Sequence, residues 1–233
     1  MENVPDSDIV ATGADPASNG TMRGHDKNNE EFHGMVTALA EAGDEATRKD
    51  LEARIWQRYG TSGTVFVSDM CGFSRTTRAH GICHFLGLIE YARGIIAPEI
   101  LRHGGQLLKF ETDNSFAFFP DVNSAVHCAR DLTARIVESN HVRHPEDRIA
   151  VAIGIDHGDV LLVGDRDYYG DPVNTACKLG EDIAAEGETL VTARAFALCT
   201  RDLPYVMDRK HARISGIDVE YARIEFMHAR GRR

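Results

Sequence analysis

The sequence predicts an α+β sandwich, with helices packed on a largely antiparallel sheet. The hydrophobic period switches repeatedly between strand and helix spacing, in the order strand, helix, hairpin, helix, hairpin, helix, strands. Several neighbouring strand candidates are joined by short polar turns, as hairpins are. A doubly wound parallel sheet would need strands alternating with helices throughout, and this order does not supply them.

Residues 1–30 are rich in Asp, Asn, Gly and Ser and carry too little apolar surface to offset ordering entropy, so a disordered tail is expected there. Residues 31–60 form a helical lead-in. Phe32, Val36, Leu39, Leu51, Ile55 and Trp56 recur at helical spacing, with Gly43-Asp44 as a break. The main domain is expected over residues 61–228. It opens with the β-branched and aromatic run Thr64 to Asp69, a buried strand, followed by a helix over 76–102. Gln106 to Glu111 and Ser115 to Phe119 flank the turn formers Thr112-Asp113-Asn114, a hairpin with Asp113 at its tip. The Asp121 to Ser124 stretch offers N-cap residues for a helix over 125–137. From Arg148 to Asp156, Ile149, Val151, Ile153 and Ile155 alternate with Ala150, Ala152 and Gly154, and Val160 to Val163 reads as a second strand after His157-Gly158-Asp159. A helix over 172–185 starts on Pro172, and strands are expected at 189–192, 205–208 and 219–226.

The 233 residues suffice for one good-sized domain, and the net charge of -10 argues against a nonspecific grip on nucleic acid. Any anionic ligand must then be held locally. No apolar run approaches the roughly 20 residues of a membrane helix, and the start of the chain, with Glu2, Asp6 and Asp8, lacks signal-peptide features, so the cytoplasm is expected. Cys71, Cys83, Cys128, Cys177 and Cys199 show no metal-ligand spacing and read as reduced thiols, and His141 and His144 read as solvated loop residues.

Asp69, ending a buried strand, and Asp113, in a hairpin turn, come from neighbouring strands if this order holds. Such a pair can hold two Mg²⁺ or Mn²⁺ ions, which call for oxygen ligands and substrate phosphates. Taken singly, either residue would more often be a cap or an Asx-turn former. Cys71, Gly72, Phe73 and Ser74 follow at a strand-to-helix junction, where backbone N–H groups can cradle a triphosphate.

Four segments in order make a pattern. SDMCGFSR at 68–75 resembles the first metal motif of class III adenylyl and guanylyl cyclases, and GGQLLKFETDNSFAFF at 104–119 is similar to their second metal hairpin. IGIDHGDVLLVG at 153–164 and YYGDPVNTACKLGED at 168–182 resemble the central hairpin and the helix that carries an Asn and a basic residue. The resemblance implies the family's ferredoxin-like sandwich and a role for each matching residue. Asp69 and Asp113 match the metal-binding aspartates, with the Met70 carbonyl as a further ligand. Lys109 matches the base-reading lysine, Asp167 the acceptor of an adenine amino group, and Asn174 the residue orienting the ribose. A Lys and Asp pair suits adenine, which makes ATP the leading substrate and cyclic AMP the product. The resemblance also implies a homodimer, its sites built from the aspartates of one subunit and the Asp167–Lys178 segment of the other.

The chain departs from the pattern in places. Lys178 stands where most members have a phosphate-binding arginine, and lysine lacks the planar bidentate fork. Ser215 stands where many have a lysine, with Arg213 as the nearby cation, and Glu111 and Thr112 replace an apolar residue and a glycine. These departures motivate two alternatives: a cyclase-like binding or regulatory module without activity, or a cyclase acting on GTP or a pyrimidine triphosphate. No GGDEF-like hairpin of diguanylate cyclases is present.

Overall fold

The computed structural model describes residues 16–200, 205–214 and 216–226. The helices are α1 (Pro16–Glu41), α2 (Glu45–Tyr59), α3 (Phe73–His80), α4 (Ile82–Arg102), α5 (Val122–Asn140), α6 (Asp171–Cys177) and α7 (Ala193–Phe196). The strands are β1 (Gly60–Met70), β2 (Gln106–Glu111), β3 (Asn114–Phe119), β4 (Val151–Val163), β5 (Asp167–Tyr169), β6 (Thr189–Thr192), β7 (Tyr205–Ile214) and β8 (Ile217–Phe226). They form one sheet in the order β2-β3-β1-β4-β6-β8-β7, with β5 paired to β4. Every pairing is antiparallel except that of β4 with β6. The expected α+β sandwich with a mostly antiparallel sheet is the fold observed.

Period-2 alternation on β1 divides the core. Phe66 joins the larger cluster with Phe85, Ile89 and Ile100 of α4 and Val126 and Leu132 of α5. Val65 and Val67 face the other way, with Leu108, Phe116, Val160, Tyr168 and Ala176 of α6. On this second face Phe118, Leu162, Val173 and Cys177 are only partly buried.

Four local expectations are revised. His157, Gly158 and Asp159 do not separate two strands: they stay in the ladder opposite Thr64, Gly63 and Ser62 of β1. Continuous backbone pairing with a long central strand outweighs their weak strand propensity. The hairpin instead closes between Val163 and Asp167. The helix expected over 76–102 breaks at Gly81, between α3 and α4. The helix expected over 172–185 changes to a π-helical turn over Lys178–Ile183. Finally, α1 already begins at Pro16, inside the stretch read as a tail, while residues 1–15 lie outside the described residues. Once Phe32, Met35 and Leu39 anchor a helix against Ile55, Tyr59 and Val163, extending it backwards adds one hydrogen bond per residue and needs no apolar face.

Candidate active site

Asp69 and Asp113 lie at one end of adjoining strands. Asp69 pairs in register with Asn114, and the Met70 N–H donates to the Asp113 carbonyl at 3.2 Å, tying the hairpin tip to the end of β1. Behind the tip, Arg93 of α4 donates to the Thr112 carbonyl at 2.9 Å and lies over the Phe110 ring. Thr112 has φ 54°, left-handed backbone in which a β-branched residue is strained.

A third carboxylate, missed in the sequence, completes the cluster: Glu181 of the π turn accepts from Asn114 Nδ2 at 3.0 Å. Burial, then Asp113 and Glu181, push the Asp69 carboxyl up to about 7. Burial, then Asp182, also raise Glu181, against the pull of Lys178. The Asn114 Oδ1 atom is buried without a partner. An oxygen-only donor set carrying crowded negative charge fits a hard divalent cation.

The turn after β1 uses Gly72 at φ 96° to start α3, whose first-turn N–H groups have no intrahelical acceptor. The Cys71 N–H already donates to the Ala150 carbonyl at 2.9 Å, so that backbone donor of the turn is engaged within the fold. Burial above all, with Asp69 nearby, pushes the Cys71 thiol up to about 11. The Phe73 ring packs edge-on against Phe85 at 4.9 Å, fixing the turn to α4.

Lys109 and Asp167, far apart in sequence, meet at 3.4 Å. The Lys109 ammonium also reaches Glu111 at 3.2 Å and stands 5.0 Å over the Phe116 ring. Burial opposes its charge, but Glu111 and Asp167 outweigh that and raise its pKa. Asp167 accepts from the Tyr168 N–H at 2.9 Å and the Tyr169 hydroxyl at 3.2 Å, and the Tyr169 ring stacks on Phe32 of α1 at 5.3 Å. The helical lead-in therefore buttresses β5.

Asn174 is exposed on α6, and Lys178 begins the π turn with its ammonium donating to Asp182 at 2.9 Å. That bond, with the Asp182 charge, raises the Lys178 pKa. The helix sits low on the sheet because two glycines meet: a Cβ at Gly154 would stand 2.0 Å from the Ala176 carbonyl oxygen and 2.6 Å from the Gly180 nitrogen. Arg213 is exposed on β7 in register with Asp218, and Ser215 lies outside the described residues.

Two other features hold none of these residues. Glu99, His103 and Asp131 come together, but Arg102, Arg130 and Arg135 already neutralise them, which makes an ion-pair network rather than a metal centre. A cavity of about 580 Å³ lies between α7 and the β7–β8 pair, lined by Phe196, Arg209, Lys210 and Tyr221. All five cysteines are unpaired, and among the described residues no helix is long and apolar enough to cross a membrane.

The fold, with its mostly antiparallel sheet and packed helices, is that of class III adenylyl and guanylyl cyclase catalytic domains, whose solved structures match across most of the chain. An adenylate/guanylate cyclase/hydrolase from Silicibacter pomeroyi is 25% identical, over 71% of this chain and 96% of that one, with a TM-score of 0.61. The guanylyl cyclase Cya2 is 18% identical over 74% and 95%, TM-score 0.64. The adenylyl cyclase CyaB from P. aeruginosa is 20% identical over 73% and 96%, TM-score 0.61. No protein-family model and no curated protein matches the sequence.

Proposed function

We propose that this chain is a cytoplasmic nucleotidyl cyclase that converts ATP to cyclic AMP and pyrophosphate at sites shared across a homodimer. The observation that carries the proposal is the placement of Asp69 and Asp113 on adjoining strand ends of a cyclase fold. The Lys109–Asp167 pair supports adenine, because an ammonium donates to a ring nitrogen while a carboxylate accepts from the exocyclic amine.

Asp69, Asp113 and the Met70 carbonyl would hold two Mg²⁺ or Mn²⁺ ions, which supply neutralisation of the triphosphate and acidify the ribose hydroxyl. The 3′-oxygen bonds to the α-phosphorus as the bond to the pyrophosphate oxygen breaks, and the hydroxyl proton passes to solvent water. Asn174 orients the ribose, and Lys178 neutralises charge on the α-phosphate. The N–H groups at Gly72, Phe73 and Ser74 cradle the β- and γ-phosphates.

One observation favours a second reading, a nucleotide-binding module without turnover: Lys178 is held by Asp182 in its own helix, and a lone ammonium cannot make the bidentate contact of an arginine. Product analysis decides between them. The purified chain is incubated with ATP, GTP, CTP or UTP and Mn²⁺, and cyclic AMP is expected as the main product. A different cyclic nucleotide would reassign the base, and none from any triphosphate would leave the binding module.

A further inference from the structure

Asp156 of β4 is 0% exposed, and an uncompensated carboxylate there would be strongly destabilising. Its compensation comes from one side chain beyond β6. Arg194, in α7, donates through Nε to Asp156 Oδ1 at 2.8 Å and through Nη2 to Oδ2, while the Thr192 hydroxyl and the His157 N–H donate to Oδ1 as well. The fork does not stop there. Arg194 Nη2 also donates to Asp171 Oδ2 at 2.7 Å.

Asp171 is the first residue of α6, next to Pro172 and three before Asn174. Its side chain is 63% exposed, so this bond adds little to stability, where solvated pairs contribute roughly 0–1 kcal/mol. Folding needs Arg194 for Asp156 but does not need Asp171. What the third bond does is fix the first turn of α6 to a rigid anchor. Lysine would be a poorer replacement, because its ammonium lacks the planar fork that grips both oxygens of Asp156 while a further N–H reaches Asp171.

We propose that Arg194 is a positioning residue, which acts through Asp171 to set the direction of α6 and hence where Asn174 and Lys178 meet the nucleotide. The inference rests on the cyclase reading above and adds a residue that touches neither substrate nor metal. Displacement of a group by about 1 Å can lower a rate by as much as two orders of magnitude. Because Asn174 and Lys178 work in the transition state, the loss falls on kcat more than on KM.

Arg194→Ala strands Asp156 and is expected to unfold, so the informative variant is Asp171→Ala, with Asp171→Asn as the conservative partner whose amide oxygen still accepts from Nη2. Turnover with ATP and Mn²⁺, melting temperature, and backbone amide exchange over residues 173–177 are measured on the full chain. For Asp171→Ala, kcat should fall about tenfold or more, KM should stay within about threefold, melting should be unchanged and exchange should quicken. Asp171→Asn should restore most of the rate. A parent-like kcat in Asp171→Ala, or a loss matched by a fall in melting temperature, overturns the proposal while leaving the cyclase reading intact. A parent that forms no product overturns the cyclase reading, and this proposal falls with it.

Discussion

Thr112 and Asp69 show how single residues record the demands of the hairpin tip. At φ 54° a non-glycine residue is disfavoured by about 1–2 kcal/mol. Thr112→Gly should therefore stabilise the fold by about 1 kcal/mol, since the Arg93 bond goes to the Thr112 carbonyl and survives. Denaturant unfolding checks this, and a midpoint equal to or below the parent's would mean that the strain is absent. Asp69 makes a prediction about pH. Its carboxyl stays protonated up to about 7 in the fold, against 3.8 ordinarily. Between those values the folded state binds more protons than the unfolded one, so stability falls as pH rises through the window and stays lowered above it. In EDTA, Asp69→Asn should melt higher than the parent at pH 8, and the two should converge below pH ~4. Melting curves that stay parallel across that range would count against a crowded carboxylate. Mn²⁺ should raise the parent's melting temperature at pH 8 far more than the variant's.

Among the elements, the docking of α6 and its π turn on β4 decides where Asn174 and Lys178 stand. The contact is backbone to backbone at Gly154 and Gly180, with no flexible side chain to yield. Gly154→Ala should cost about 1–3 kcal/mol or more as the helix is pushed off the sheet, and it should lower turnover as well. Gly34, inside α1, is the contrast: nothing lies within 4 Å of a Cβ there. Gly34→Ala should stabilise by about 0.5–1 kcal/mol through helix propensity alone. Chemical denaturation of both variants tests the pair, and equal effects would mean that the close approach at Gly154 is not real.

At the scale of the whole molecule, among the described residues α6 and its continuation pack on the second sheet face, and its apolar residues Phe118, Leu162 and Val173 stay partly open. A partner subunit seated there would join the Asp69 end of one chain to the Asn174 helix of the other. Asp69→Ala and Asn174→Ala should each abolish turnover alone. In a mixed dimer one site carries both changes and the other neither, so equal amounts with random exchange should regain about a quarter of parental activity. No regain, with exchange verified by tag pull-down, would mean that the site lies within one chain.

The sequence by itself determined the α+β class and most of the element types, and it singled out the candidate site residues, because period, turn chemistry and motif spacing are local properties of the chain. The buried strand from Thr64 to Asp69, and Asp113 at a hairpin tip, were legible in this way. Asp156 gave a faint signal, since a carboxylate that continues the small-residue face of Ala152 and Gly154 calls for a cation. Which cation answered it was decided by tertiary structure, as were the unbroken β4, the π turn, Glu181 at Asn114 and the meeting of Lys109 with Asp167. Each depends on which strands lie side by side and how closely a helix can approach them. Those choices come from backbone pairing and packing summed over residues distant in sequence, and no local window of the chain contains them.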